Sequence, residues 1–135
     1  MTFQRVVLID DNETDNFFHR IALQKAGFTG EVLAYERPAE GLAFLLEDQI
    51  AVPTCVLLDI NMPVLSGFDV AQALSEGLRP QAAFKLLMLT SSNWTDDRRR
   101  AEAIALIEGF LVKPLDAATA RTLLTGQGIG GSSLP

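Results

Sequence analysis

Short apolar runs alternate along this chain with stretches whose apolar residues recur at helical spacing. The central run, residues 55–58, is continuous, ends in Asp59 and stops at Met62-Pro63. A continuous apolar run between turn residues is typical of a strand buried on both faces, as in a parallel sheet. Parallel neighbours need a crossover connection, so this alternation predicts an α/β fold.

Caps and stops divide the chain into five strands and five helices. The first helix is predicted to run to about Lys25, and its broad apolar face includes Phe17 and Phe18. We expect His19, the only histidine, to lie at the surface. The predicted strands are 5–9, 31–35, the run ending at Asp59, 84–89 with Thr90 following, and 110–112. The predicted helices begin at Asn12 or Thr14, Pro38, Ser66 or Gly67, Thr95 (with Ile104, Ala105 and Leu106 on its apolar side) and Asp116.

Composition places the chain among small globular domains. Its 135 residues suit one domain, and 48% hydrophobic content is enough for a core. A net charge of −6 and a pI near 4.6 argue against a nucleic-acid partner. One cysteine, expected in the core, excludes an internal disulfide. Neither a signal peptide nor an apolar run of about 20 residues is present, so we expect a soluble cytoplasmic protein without membrane contact.

Polar residues follow four of the predicted strands, at their carboxyl ends. Right-handed crossovers bring these ends to one edge of the sheet, which would receive Asp10 and Asp11, then Asp59, Thr90 and Lys113. Two carboxylates about 4 Å apart repel by roughly 4 kcal/mol at an effective dielectric near 20. A divalent cation and Lys113 are the available counter-charges. An oxygen-only cluster favours Mg²⁺ over zinc.

These residue types suit phosphoryl transfer to a carboxylate. With a cation bound, Asp59 is a candidate nucleophile toward phosphorus, while Lys113 and the Thr90 hydroxyl are candidate partners for the phosphoryl oxygens. Each residue alone is weak evidence. Their order at successive strand ends is a much more specific signal.

With these motifs, the chain resembles a receiver domain of bacterial two-component response regulators. The resemblance extends from about residue 5 to residue 124 and rests on Asp10-Asp11, Asp59 with Met62, Pro63 and Gly67, Thr90, and Lys113-Pro114. It implies a doubly wound, flavodoxin-like sheet of order 2-1-3-4-5 with five helices. The receiver domain would occupy residues 1–125, and we expect the glycine- and serine-rich tail 126–135 to be disordered.

The resemblance also implies roles for individual residues. Asp59 would accept phosphate from the phosphohistidine of a histidine kinase, and the Lys113-Pro114 peptide would be cis. Mg²⁺ would be bound by Asp11, Asp59 and the backbone carbonyl of Asn61, with Asp10 acting through water. The switch of the family pairs Thr90 with an aromatic residue, here Phe110, which lacks the hydroxyl of the tyrosine common there.

Our leading hypothesis is a single-domain response regulator that signals by phosphorylation-dependent contact with an unknown downstream protein. It would take its phosphoryl group from a histidine kinase or a histidine phosphotransfer protein. It would not be an enzyme beyond self-catalysed phosphotransfer and slow autodephosphorylation. Other interpretations remain open at this point. The chain could be a phosphorelay shuttle or a fragment of a larger chain. An aspartyl-phosphate phosphatase would favour an acid at position 61, where this chain has Asn61, and a flavodoxin-like cofactor binder is disfavoured by the acidic segment 10–13.

Overall fold

The computed structural model describes residues 3–79, 83–90, 99 and 103–125, which build a parallel sheet covered on both faces by helices. The order of the five strands is β2-β1-β3-β4-β5, which confirms the predicted doubly wound fold. The strands are β1 (Arg5–Ile9), β2 (Glu31–Tyr35), β3 (Thr54–Asp59), β4 (Phe84–Thr90) and β5 (Ile107–Val112). The described helices are α1 (Glu13–Lys25), α2 (Pro38–Asp48), α3 (Gly67–Gly77) and α4 (Ala117–Leu124).

Two apolar layers sandwich the sheet, because successive strand residues point to opposite faces. On β1, Val7 and Ile9 belong to the layer completed by α2 and α3. Val6 and Leu8 belong to the layer completed by α1 and α4. Every residue of β3 is buried, as predicted for a central strand. Its free Cys55 lies in the second layer, in agreement with the expected core position.

The helix starts carry the polar residues that the sequence indicated. The side chains of Asn12, Ser66 and Asp116 accept hydrogen bonds from backbone N–H groups in the first turns of α1, α3 and α4. Such caps satisfy donors that have no partner within the helix. They also fix where each chain segment leaves the carboxyl edge of the sheet. Within the described ranges, no helix has both the length and the apolarity needed to cross a bilayer.

The first helix is rotated relative to the prediction. Its buried residues are Asn16, His19, Ala22 and Leu23, so the expected surface position of His19 is wrong. The predicted apolar face is buried only in part, since its members Phe17 and Phe18 are 57% and 55% exposed. Because the buried face includes the polar residues Asn16 and His19, a hydrophobicity pattern does not indicate which face of α1 packs on the sheet. Burial lowers the pKa of His19, partly offset by the charge of Asp10.

The last strand is longer than predicted. It begins at Ile107, three positions before the apolar run that indicated it, and pairs with Leu86 ahead of a register irregularity. The exposed Glu108 and the small Gly109 interrupt the apolar pattern there. Ala105 and Leu106, expected at the end of the preceding helix, lie in a turn. Apart from residues 99 and 103–106, the helix predicted from Thr95 lies outside the described residues, as does the tail 126–135.

Candidate functional site at the carboxyl edge of the sheet

The sheet register brings the predicted site residues to one edge. Asp59 pairs with Leu89 on β4, and Thr90 pairs with Val112, the residue before Lys113. Asp10 follows Ile9, which pairs with Leu58. Residues distant in sequence thus lie side by side because parallel strands end together.

The ammonium of Lys113 forms the centre of this edge. Its Nζ lies 2.7 Å from Asp10 Oδ2, 2.8 Å from Asp15 Oδ2 and 3.2 Å from Asp59 Oδ1. An ammonium has three N–H donors, as many as the carboxylates that surround it here. The side chain of Lys113 is only 12% exposed, so these ion pairs are weakly screened by solvent. Lys113 is therefore held in place before any ligand arrives.

Asp10, Asp11 and Asp59 form an acidic cluster beside this lysine. One carboxylate oxygen from each lies within 4.8 Å of the others, with Asp10 and Asp59 buried and Asp11 exposed. Hard divalent cations such as Mg²⁺ prefer carboxylate, carbonyl and water oxygens. The donor set and its one exposed member fit such a cation, which would keep part of its water shell.

Burial makes the central carboxylate unusually basic. Loss of solvent, followed by the charge of Asp10, raises the pKa of Asp59 to about 6, although Lys113 opposes this shift. For Lys113, burial acts to lower the pKa, but hydrogen bonds to Asp10 and Asp15 outweigh it and raise the pKa above its ordinary value. Lys113 thus stays charged, while the cluster resists full ionisation of Asp59.

Backbone and side-chain hydrogen bonds fix Asp10 and the start of α1. The backbone N–H of Asn12 donates to Asp10 Oδ1 at 2.9 Å, and Asn16 Nδ2 donates to the Asp10 carbonyl at 2.9 Å. The Asn12 side chain in turn accepts from the backbone N–H of Asp15 at 3.1 Å. Sequence reasoning missed the contributions of Asp15 and Asn16. Their position in the first turn after the acidic pair was the available signal.

The remaining predicted residues occupy three different settings. Thr90 is buried, and its carbonyl accepts a hydrogen bond of 2.7 Å from the backbone N–H of Lys113. Phe110 is buried in the layer of α2 and α3, so its ring points inward. Asn61 is exposed in the loop after β3. The Lys113-Pro114 peptide is cis, as the resemblance implies. Ser91, Ser92 and Trp94 lie outside the described residues.

Gly67, at the start of α3, lies directly against the backbone of the candidate acceptor. A Cβ at this position would collide with the carbonyl oxygen of Asp59 and approach the Cα of Ile60 to 3.0 Å. Backbone atoms cannot move aside as a side chain does. We therefore expect Gly67→Ala to lower the free energy of unfolding by about 1–3 kcal/mol, measured by urea denaturation.

Gly77 provides a matched control at the other end of the same helix. There a Cβ would meet chiefly the end of the flexible Leu46 side chain, at 2.6 Å. Because that side chain can turn away, Gly77→Ala should change the free energy of unfolding by less than about 1 kcal/mol. Equal losses in the two variants would contradict this explanation of Gly67.

A doubly wound parallel sheet with an acidic cluster and a facing lysine at its carboxyl edge defines a flavodoxin-like protein with a candidate cation and anion site. This combination is more specific than the fold alone. The chain belongs to the response regulator receiver domain family, which matches residues 6–125. Proteins of this family typically take part in two-component signalling and phosphorelay, and they typically bind magnesium.

Known relatives agree with this assignment. The chain is 29% identical over 117 residues to Protein PilH of Pseudomonas aeruginosa, covering 85% of this chain and 89% of PilH. It is 30% identical over 115 residues to the Probable methanogenesis regulatory protein FilR2 of Methanothrix harundinacea, covering 82% and 72% respectively. A solved response regulator receiver protein from Dyadobacter fermentans is similar with a TM-score of 0.77 and 29% identity, covering 90% of this chain and 94% of that one.

Proposed function

We propose that this protein accepts a phosphoryl group on Asp59 from a phosphohistidine and signals through phosphorylation-dependent contact with another protein. The donor would be a histidine kinase or a histidine phosphotransfer protein. The observation that carries the proposal is the position of Asp59, 3.2 Å from the Lys113 ammonium and within the cluster of Asp10 and Asp11. A carboxylate so placed has a counter-charge for the phosphoryl group and a candidate cation site within its immediate surroundings.

The transfer itself is a substitution at phosphorus. A carboxylate oxygen of Asp59 attacks, the new O–P bond forms, and the P–N bond to the donor histidine breaks. The imidazole nitrogen leaves with the bonding electron pair and takes up a proton. Asp11, Asp59 and the carbonyl of Asn61 would hold Mg²⁺, with Asp10 acting through water, and the cation would supply charge neutralisation, on which phosphoryl transfer largely depends.

The side chains around Asp59 would then hold the product. Lys113 would compensate the charge of one phosphoryl oxygen, and the Thr90 hydroxyl would donate a hydrogen bond to another. Movement of Thr90 would be transmitted to Phe110, one strand further along the sheet. Two populations that differ in these positions are enough for signalling, because phosphorylation binds one of them better.

Labelling with a small phosphodonor tests the proposal. Incubation with labelled acetyl phosphate and Mg²⁺ should add one phosphate per chain, and Asp59→Asn should remove essentially all labelling because the nucleophile is gone. Asp116→Asn, which changes the exposed cap of α4, is the matched control and should label like the wild type. Label that survives in Asp59→Asn would reject the acceptor, and steady hydrolysis of a phosphomonoester would favour a phosphatase instead.

A further inference from the structure

Asp15 is a carboxylate partner of Lys113 that the proposed transfer does not use. Its Oδ2 lies 2.8 Å from the Lys113 Nζ, compared with 2.7 Å for Asp10 and 3.2 Å for Asp59. Asp10 and Asp59 also belong to the acidic cluster that could hold a cation, whereas Asp15 does not. A bound cation would therefore compensate the charges of Asp10 and Asp59, whereas the counter-charge of Asp15 is the Lys113 ammonium.

The site around Lys113 has an excess of negative charge. Asp10, Asp15 and Asp59 contact the Lys113 ammonium, and Asp11 belongs to the same acidic cluster as Asp10 and Asp59. The summed formal charge of these five described side chains stays negative even with a divalent cation bound. A phosphoryl group on Asp59 brings close to two negative charges in place of one. Each neighbouring carboxylate opposes that change, and Asp15 also occupies one of the lysine donors.

We propose that Asp15 is a positioning residue that competes with the phosphoryl group for the Lys113 ammonium and so lowers the occupancy of the phosphorylated state. This inference rests on the proposed function, since it concerns the same lysine and the same acceptor. Asp15 is suited to this role because α1 holds it from outside the sheet. Its backbone is fixed by the Asn12 cap, and its side chain, at 35% exposure, is the most accessible of the three partners.

Opposite effects on a cation and an anion distinguish competition from a structural role. Loss of the Asp15 charge should weaken Mg²⁺ binding but strengthen binding of beryllofluoride, a noncovalent phosphoryl analogue, at saturating Mg²⁺. We expect Asp15→Asn to bind the analogue about three- to fivefold more tightly and Mg²⁺ alone about two- to threefold more weakly, both by calorimetry. A structural defect would weaken both.

Two further variants complete the experiment. Glu13→Gln removes the same charge from the same first turn of α1 at an exposed position, and should shift either affinity by less than about twofold. Asp15→Glu keeps the charge and should bind both ligands within about twofold of the wild type. Asp15→Ala provides a second charge-free variant in case the amide disturbs the helix cap.

The outcomes separate this inference from the function on which it rests. Unchanged analogue affinity in both Asp15→Asn and Asp15→Ala, or weaker binding of both ligands, would overturn the competition while leaving phosphorylation of Asp59 intact. An equal gain in Glu13→Gln would attribute the effect to general charge and would also overturn it. A wild-type protein that binds no beryllofluoride and takes up no phosphate would overturn the proposed function, and the inference with it.

Discussion

Lys113→Met should lower the free energy of unfolding by about 3–5 kcal/mol in metal-free buffer near pH 8. Loss of one partner from a buried ion pair leaves the other charge without compensation, which accounts for a cost of this size. Here the substitution removes the counter-charge of Asp10, Asp15 and Asp59 together. Small domains have only about 5–15 kcal/mol of stability in total, so the effect should be plain in urea denaturation.

The conditions of the measurement provide internal controls for Lys113. Millimolar Mg²⁺ should restore part of the lost stability, because a ligand that binds only the folded state stabilises it. Acidification should narrow the difference, since the unpaired carboxylates can then be protonated. Lys25→Met removes an exposed cation from the last turn of α1 and should cost less than about 1 kcal/mol. A Lys113→Met protein as stable as this control would show that the ammonium does not stabilise the fold.

The strand ends illustrate what the sequence contains. The central strand is apolar throughout and Asp59 ends it, so topology alone places that carboxylate at the ligand-binding edge of the sheet. Asp10 and Lys113 follow by the same reasoning, since both come directly after strands that are parallel to β3 or its neighbour. Local sequence patterns and the rule that crossovers are right-handed determine these positions, so a single sequence is enough to predict them.

Side-chain contacts between helices and strands could not be obtained in this way. The Asp15–Lys113 pair joins residues 98 positions apart, and it depends on how α1 is rotated over the sheet. Hydrophobic spacing placed Phe17 on the apolar face of α1, whereas the structure exposes Phe17 and buries Asn16 and His19. Hydrogen bonding of Asn16 to the Asp10 backbone favours this arrangement, and periodicity contains no information on such a bond. The sequence therefore predicted the members of the acidic cluster but not the full set of lysine partners.

Asp59→Asn should stabilise the metal-free protein at neutral and higher pH. The pKa of Asp59 is about 6 in the folded protein, against its ordinary value of 3.8. Between these values the folded state binds a proton that the unfolded state has released. Folding is therefore favoured most below about pH 4, and this contribution is lost as the pH rises through about 6. At about 1.4 kcal/mol per pKa unit, the loss approaches about 3 kcal/mol for this buried carboxylate.

The neutral amide of Asn resembles the protonated carboxyl, so the variant should escape this loss. Urea denaturation of both proteins in a chelator, at a series of pH values from about 4 to 8, should show curves that coincide at the acid end and separate by about 2–3 kcal/mol above pH 7. Glu47→Gln removes an exposed charge on α2 and should not produce a divergence centred near pH 6. Adding Mg²⁺ should reduce this difference in the free energy of unfolding by stabilising the wild type. The cation compensates the charge of the Asp59 carboxylate, whereas it binds the neutral amide of the variant less strongly. A wild-type protein whose stability rises from pH 4 to 7 relative to Asp59→Asn would mean that Lys113 outweighs burial at this carboxylate.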